Sequence, residues 1–133
     1  MESKAGDSLN ILSIIARKIR EGEYRRQTRK VKKSAFLPRL NGNDDDGLSV
    51  SEVDDRTQYT AESFLGCFLQ VGKVKSIGEP GEVLDVVYDP LPENLHHALI
   101  VGIPLRSDSS KSVAIDNIAR ALAELASMNL DDA

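Results

Sequence analysis

Aromatic residues are scarce in this chain, which has no tryptophan, three tyrosines and three phenylalanines among its 133 residues. A hydrophobic core must therefore be built mainly from isoleucine, leucine, valine and alanine. The hydrophobic content of 41% is enough for one core of ordinary size. We expect a single domain spanning residues 1–133.

Cysteine is also nearly absent, because Cys67 is the only one. One cysteine cannot build the disulfide framework of a small secreted protein. Cys67 lies within an apolar run, and no basic residue adjoins it to lower the pKa of its thiol. We therefore expect a buried, structural thiol.

No apolar stretch approaches the roughly 20 residues that a membrane-spanning helix needs. The first residues are polar and include Glu2 and Asp7, which is unlike a secretory signal. We expect a cytoplasmic protein with no membrane partner.

Signatures of catalysis and of cofactor binding are missing. The glycine spacing matches neither a phosphate-binding loop nor a dinucleotide fingerprint, and no Gly-x-Ser-x-Gly elbow is present. The acidic run Asp44 to Asp46 does not have the spacing of an EF-hand. His96 and His97 are the only histidines, and no further ligand stands at metal-binding spacing. The sequence predicts no metal and no cofactor.

Three segments have apolar residues at the three- and four-residue spacing of an amphipathic helix. This spacing predicts an N-terminal, a middle and a C-terminal helix. They cover Ser8 to Glu21, Ala61 to Gly72 and Val113 to Ala126.

Several short runs have the alternation or apolar bulk of strands. They are Leu48 to Val53, Lys73 to Ile77, Val83 to Tyr88 and Ala98 to Ile103, with an edge strand at Ser34 to Leu37. The run Gly78 to Glu82 contains Pro80-Gly81, which predicts a type II turn between two antiparallel strands. Together these elements predict an α+β fold, with helices packed on a small, mainly antiparallel sheet of three to five strands.

Charge is distributed very unevenly along the chain. The net charge is -4, yet the segment from Arg17 to Arg39 contains ten basic residues and only two acidic ones. The expected domain therefore carries a basic N-terminal helix and arm over residues 8–33, and a short acidic tail over residues 130–133.

This basic segment is the leading candidate for function, because clustered cations bind phosphates or carboxylates. A nearby tyrosine could stack on a base. The candidate binding residues are Arg17, Arg20, Tyr24, Arg25, Arg26, Arg29, Lys30, Lys32 and Lys33. We expect a non-catalytic binding or accessory protein whose partner is either a nucleic acid or an acidic protein surface. A homo-oligomer and a subunit of a larger complex are the alternatives for its assembly.

A second hypothesis places function at His97. This histidine precedes an apolar strand and lies near Asp85 and Asp89 in sequence, and a carboxylate can hold a histidine in one tautomer. Ser49 or Ser51 could act as a nucleophile beside His97, but no sequence motif supports this combination. The alternative is therefore a small enzyme or ligand-binding subunit with a pocket around His97.

Overall fold

A computed structural model describes residues 5–25, 27–28, 30–38, 46–54, 59, 65–77 and 84–133. Within these ranges the fold is α+β, with a five-stranded antiparallel sheet, a two-stranded hairpin and two α-helices. The strands are β1 (Ile14–Lys18), β2 (Tyr24–Arg25), β3 (Lys30–Val31), β4 (Leu48–Glu52), β5 (Gly66–Gln70), β6 (Asp85–Tyr88) and β7 (His97–Val101). The helices are α1 (Val71–Lys75) and α2 (Ser112–Leu125), and short 3-10 helices cover Glu21–Glu23, Lys33–Phe36, Ser109–Lys111 and Leu130–Asp132.

The large sheet has the strand order β5-β1-β4-β7-β6, and every neighbouring pair is antiparallel. Both edge strands are contacted by chain ends. The N-terminal segment 6–9 runs beside β6, where the Leu9 amide donates to the Val86 carbonyl at 2.9 Å. On the other edge, Phe68 of β5 and Ser127 exchange two backbone hydrogen bonds. Pairing of this kind uses backbone groups that an open edge would expose.

The two faces of the sheet are covered differently. The inner face, which includes Ile15, Val50 and Ile100, packs against the apolar stripe of α2 and forms the main core. On the outer face, Ala16 and Phe68 pack with Leu130 in a smaller cluster. Leu130 is thus buried at the start of the segment that the charge pattern describes as an acidic tail.

The predicted N-terminal helix is wrong, because the chain forms β1 within Ser8 to Glu21. Ile15 and Ala16 are both buried, on opposite faces of the sheet. A strand that is buried on two faces has apolar residues at consecutive positions, and these also satisfy helical spacing.

The middle helix is also wrong over residues 65–70, and only its last two residues, Val71 and Gly72, lie in a helix, α1. Residues 61–64 lie outside the described residues, and Gly66–Gln70 is the edge strand β5. Cys67 and Leu69 face the main core, whereas Phe68 faces the outer cluster. Burial on both faces again produced a continuous apolar run that periodicity cannot assign.

Two predicted strands are wrong as well. The segment Lys73 to Ile77 begins inside α1, whose buried residues Val71 and Val74 are three positions apart, as on one side of a helix. Ser34 to Leu37 lies mostly in the 3-10 helix Lys33–Phe36. A run of four or five residues carries too little periodicity to separate these states.

The remaining elements are confirmed. β4 matches the alternating run at Leu48, β7 matches the apolar run at Ala98, and α2 matches the C-terminal stripe. β6 covers residues 85–88 of the predicted strand Val83 to Tyr88, while the predicted turn Gly78 to Glu82 lies outside the described residues. No helix in the described ranges combines the length and apolar character needed to cross a bilayer.

Candidate functional site

The centre of the basic segment is a small antiparallel hairpin, formed by β2 and β3. Tyr24 pairs with Val31, Arg25 pairs with Lys30, and the Lys32 amide extends the ladder by donating to the Glu23 carbonyl at 2.8 Å. We call residues 23–32 the basic hairpin. Its structure is described except at Arg26 and Arg29, two candidate residues that lie outside the described residues.

Alternation along the basic hairpin sorts its side chains onto two sides. Val31 is buried in the main core and Tyr24 packs against it. Arg25, Lys30 and Lys32 are exposed. The apolar pair therefore anchors the hairpin, while its cations face solvent.

Positive charge on the outward side is concentrated and locally unbalanced. Arg25 and Lys30 are direct cross-strand partners, and side chains in such a pair start about 5 Å apart. Like charges at this spacing repel each other. Among the described residues, no carboxylate oxygen lies within 4 Å of the charged groups of Arg25, Lys30 or Lys32. A bound anion would relieve this repulsion.

Arg17 has a different environment from the hairpin cations. Its Nε donates to the Ala35 carbonyl at 2.6 Å, and its Nη1 donates to the Ser49 carbonyl at 2.7 Å. Its guanidinium also lies 5.7 Å from the centre of the Phe36 ring. Arg17 thus connects the 3-10 helix Lys33–Phe36 to the sheet.

Arg20 and Tyr24 flank the 3-10 helix Glu21–Glu23. Arg20 is exposed, and its backbone amide donates to the Glu23 carboxylate at 2.7 Å. Tyr24 is half-buried against the core. Its ring is therefore engaged in packing, which opposes the base-stacking role that the sequence suggested.

Lys33 forms an ion pair with a residue that the sequence analysis missed. Its Nζ lies 2.5 Å from Asp116 Oδ1, and Arg120 Nη2 donates to Asp116 Oδ2 at 3.0 Å. The hydrogen bond from Lys33 is the main reason that the pKa of Asp116 lies below its usual 3.8. The pair of Asp116 and Arg120 was visible as an i,i+4 spacing on the predicted C-terminal helix.

The region around His97 contains a row of polar residues from β4, from β7 and from the connection between β6 and β7. His97 Nδ1 lies 2.9 Å from the Asp89 carbonyl oxygen and 3.1 Å from its carboxylate Oδ2. Because both are acceptors, this geometry assigns the proton to Nδ1. Ser51 is the β4 partner of His97, and its Oγ accepts from Asn94 Nδ2 at 2.9 Å.

This row lacks two features that the His97 hypothesis needs. The described hydrogen bonds do not include one between His97 and Ser51, which nucleophile activation would use. Asp85 is the partner of Val101, at the far end of the β6 and β7 pair from His97, and accepts from Ser8 Oγ at 2.6 Å. The structure therefore brings Asp89, but not Asp85, to His97.

Cys67 is fully buried, as expected from its apolar surroundings. Burial raises the pKa of its thiol to about 12, although the charge of Arg17 acts in the opposite direction. The thiol is therefore protonated at neutral pH and is a poor nucleophile. In the part of the chain that the structure describes, no three His, Cys, Asp or Glu residues are arranged to share a metal ion.

Comparison with known proteins finds no matching family model, no matching curated protein and no matching solved structure.

Proposed function

We propose that this protein is a non-catalytic binding or accessory protein whose basic hairpin binds an acidic surface of a protein partner. One observation carries the proposal: Arg25 and Lys30 are exposed cross-strand partners, and among the described residues no carboxylate oxygen lies within 4 Å of either charged group. Lys32 adds a third exposed cation. A cluster whose charges repel each other gains from a ligand of opposite sign.

An acidic protein is favoured over a nucleic acid for three reasons. Tyr24 packs inward, so the hairpin offers no described aromatic ring for a base. The whole chain is acidic, with a net charge of -4, whereas nucleic-acid-binding domains are typically basic as a whole. In addition, Lys33 already binds a carboxylate, that of Asp116.

The first test is direct binding to a labelled oligoglutamate peptide, followed by fluorescence anisotropy. A labelled RNA of mixed sequence is measured in parallel. We expect the peptide to bind and its affinity to fall between about 20 mM and about 200 mM salt, because exposed ion pairs are screened. Binding of RNA without binding of the peptide would show that the partner is a nucleic acid and not an acidic protein. Binding of neither at low salt would refute the proposal.

The second test locates the binding site by charge reversal. The double variant Arg25→Glu/Lys30→Glu is compared with Lys18→Glu/Lys73→Glu, which changes the net charge equally. Lys18 and Lys73 are exposed, and Lys18 lies at the end of β1 on the outer face. We expect the hairpin variant to lose about tenfold or more in peptide affinity and the control to lose much less. Equal losses would mean that overall charge, not the hairpin, governs binding.

A ligand-binding or catalytic role at His97 is the second candidate function. The observation in its favour is the contact of His97 with Asp89, together with Ser51 as its strand neighbour. The His97 side chain is only 13% exposed. A ligand at this place would shift the resonances of His97 and Ser51, whereas occupation of the basic hairpin would leave them unchanged.

A further inference from the structure

We propose that Asp116 is a built-in competitor for the acidic partner: it occupies Lys33 and Arg120, and a carboxylate of the partner displaces it. This inference rests on the proposed function of the basic hairpin. It adds Lys33 and Arg120 to that binding surface, and Arg120 is far from the hairpin in sequence. It also gives a mechanism that limits the affinity for the partner.

Lys33 lies between the basic hairpin and helix α2. Lys33 follows the basic hairpin directly and begins the 3-10 helix Lys33–Phe36. Helix α2 packs against this 3-10 helix and against β3. Asp116 on α2 therefore meets Lys33 at the point where the chain leaves the basic hairpin.

The ion pairs of Asp116 are open to solvent. The side chains of Lys33, Asp116 and Arg120 are 42%, 34% and 57% exposed. Ion pairs at such exposed positions are weak, because water and salt compete with them. A partner carboxylate can therefore reach both cations and exchange with Asp116.

Positive charge exceeds negative charge around Asp116. One carboxylate faces two directly bonded cations, so the cluster carries an excess of positive charge even while Asp116 is in place. A third cation, Arg106, is close enough for its charge to lower the pKa of Asp116 as well. When Asp116 releases Lys33 and Arg120, positive charge continues from the hairpin onto α2.

The test measures the affinity of Asp116→Asn for the labelled oligoglutamate peptide. We expect the affinity to rise about threefold, which is the scale of one exposed ion pair. The control is Asp132→Asn, which removes the same charge from an exposed position in the C-terminal 3-10 helix that packs at the outer face. Equal effects of the two variants would contradict the inference.

A second comparison tests the mechanism through Lys33 and Arg120. In the background Lys33→Gln/Arg120→Gln, the substitution Asp116→Asn is expected to change affinity no more than Asp132→Asn does, because neither cation bonded to Asp116 is left to release. If Asp116→Asn does not fold, Arg120→Gln alone replaces it and is expected to lower affinity about twofold. An unchanged affinity in that variant would contradict the inference.

The outcomes separate the two proposals. If the wild-type protein does not bind the peptide at low salt, the proposed function of the basic hairpin fails. If the wild-type protein binds and Asp116→Asn binds no better, the hairpin remains the site and only the competitor role of Asp116 is refuted.

Discussion

Arg17 shows that membership of a basic segment does not define the role of a residue. Its guanidinium donates to two backbone carbonyls, of Ala35 and Ser49, that belong to different elements. Arg25 has no such contacts among the described residues and is exposed. The two arginines differ in position. Arg17 is two residues from Ile15 and lies on the same, inner face of β1, whereas Arg25 lies on the outward side of the hairpin.

We predict that Arg17→Met lowers the free energy of unfolding by about 1–3 kcal/mol, because the part-buried Ala35 carbonyl and the more exposed Ser49 carbonyl both lose a charged donor. Urea denaturation measures this change. The control Arg20→Met is expected to stay within about 0.5 kcal/mol of the wild type, because the Arg20 side chain is exposed. Peptide affinity of Arg17→Met should be unchanged, and a stable variant with weakened binding would show that Arg17 belongs to the binding site.

The candidate binding residues were partly predictable. The exposed cations Arg25, Lys30 and Lys32 were identified from charge density alone. The inward position of Tyr24 was not, because it depends on the register of a hairpin with two-residue strands. Asp116 was missed because its contact with Lys33 joins residues 83 positions apart.

At the scale of elements, strands buried on two faces were the main source of error. β1 and β5 pair with each other in the sheet, and both have apolar residues at consecutive positions. By contrast, β4 has one buried face over Leu48 and Val50, with Ser49 exposed between them. Its alternation could be recognised without knowledge of its neighbours.

Gly47 lies immediately before β4, where the close approach of the chain to β7 leaves no room for a side chain. Its φ is +139°, and a Cβ added there would lie 2.8 Å from the Ile100 carbonyl oxygen. We predict that Gly47→Ala lowers the free energy of unfolding by about 1–3 kcal/mol, because the variant combines backbone strain with a clash against backbone. Thermal or urea denaturation measures the loss.

Gly22 supplies the matched control for this prediction. An added Cβ at Gly22 meets no atom within 4 Å, and its φ is not positive. Gly22→Ala should therefore leave stability unchanged within about 0.5 kcal/mol or raise it slightly. Similar losses at both glycines would show that the approach of β4 to β7 is not the cause.

At the scale of the whole molecule, the fold turns an uneven charge pattern into surfaces with different roles. Arg17 bonds to the Ala35 carbonyl and joins the sheet to the 3-10 helix Lys33–Phe36, and Lys33 forms an ion pair with Asp116 of α2. The hairpin keeps Arg25, Lys30 and Lys32 at the surface. The acidic partner would therefore meet a limited patch rather than the whole basic segment.

The most direct test of this account is a titration of oligoglutamate peptide into isotope-labelled protein at low salt, followed by two-dimensional NMR of the backbone amides. The account predicts that the amides of Arg25, Lys30 and Lys32 shift most and saturate with the peptide, while those of Ser51 and His97 stay in place. Shifts centred on Ser51 and His97, or no shifts at all, would contradict it.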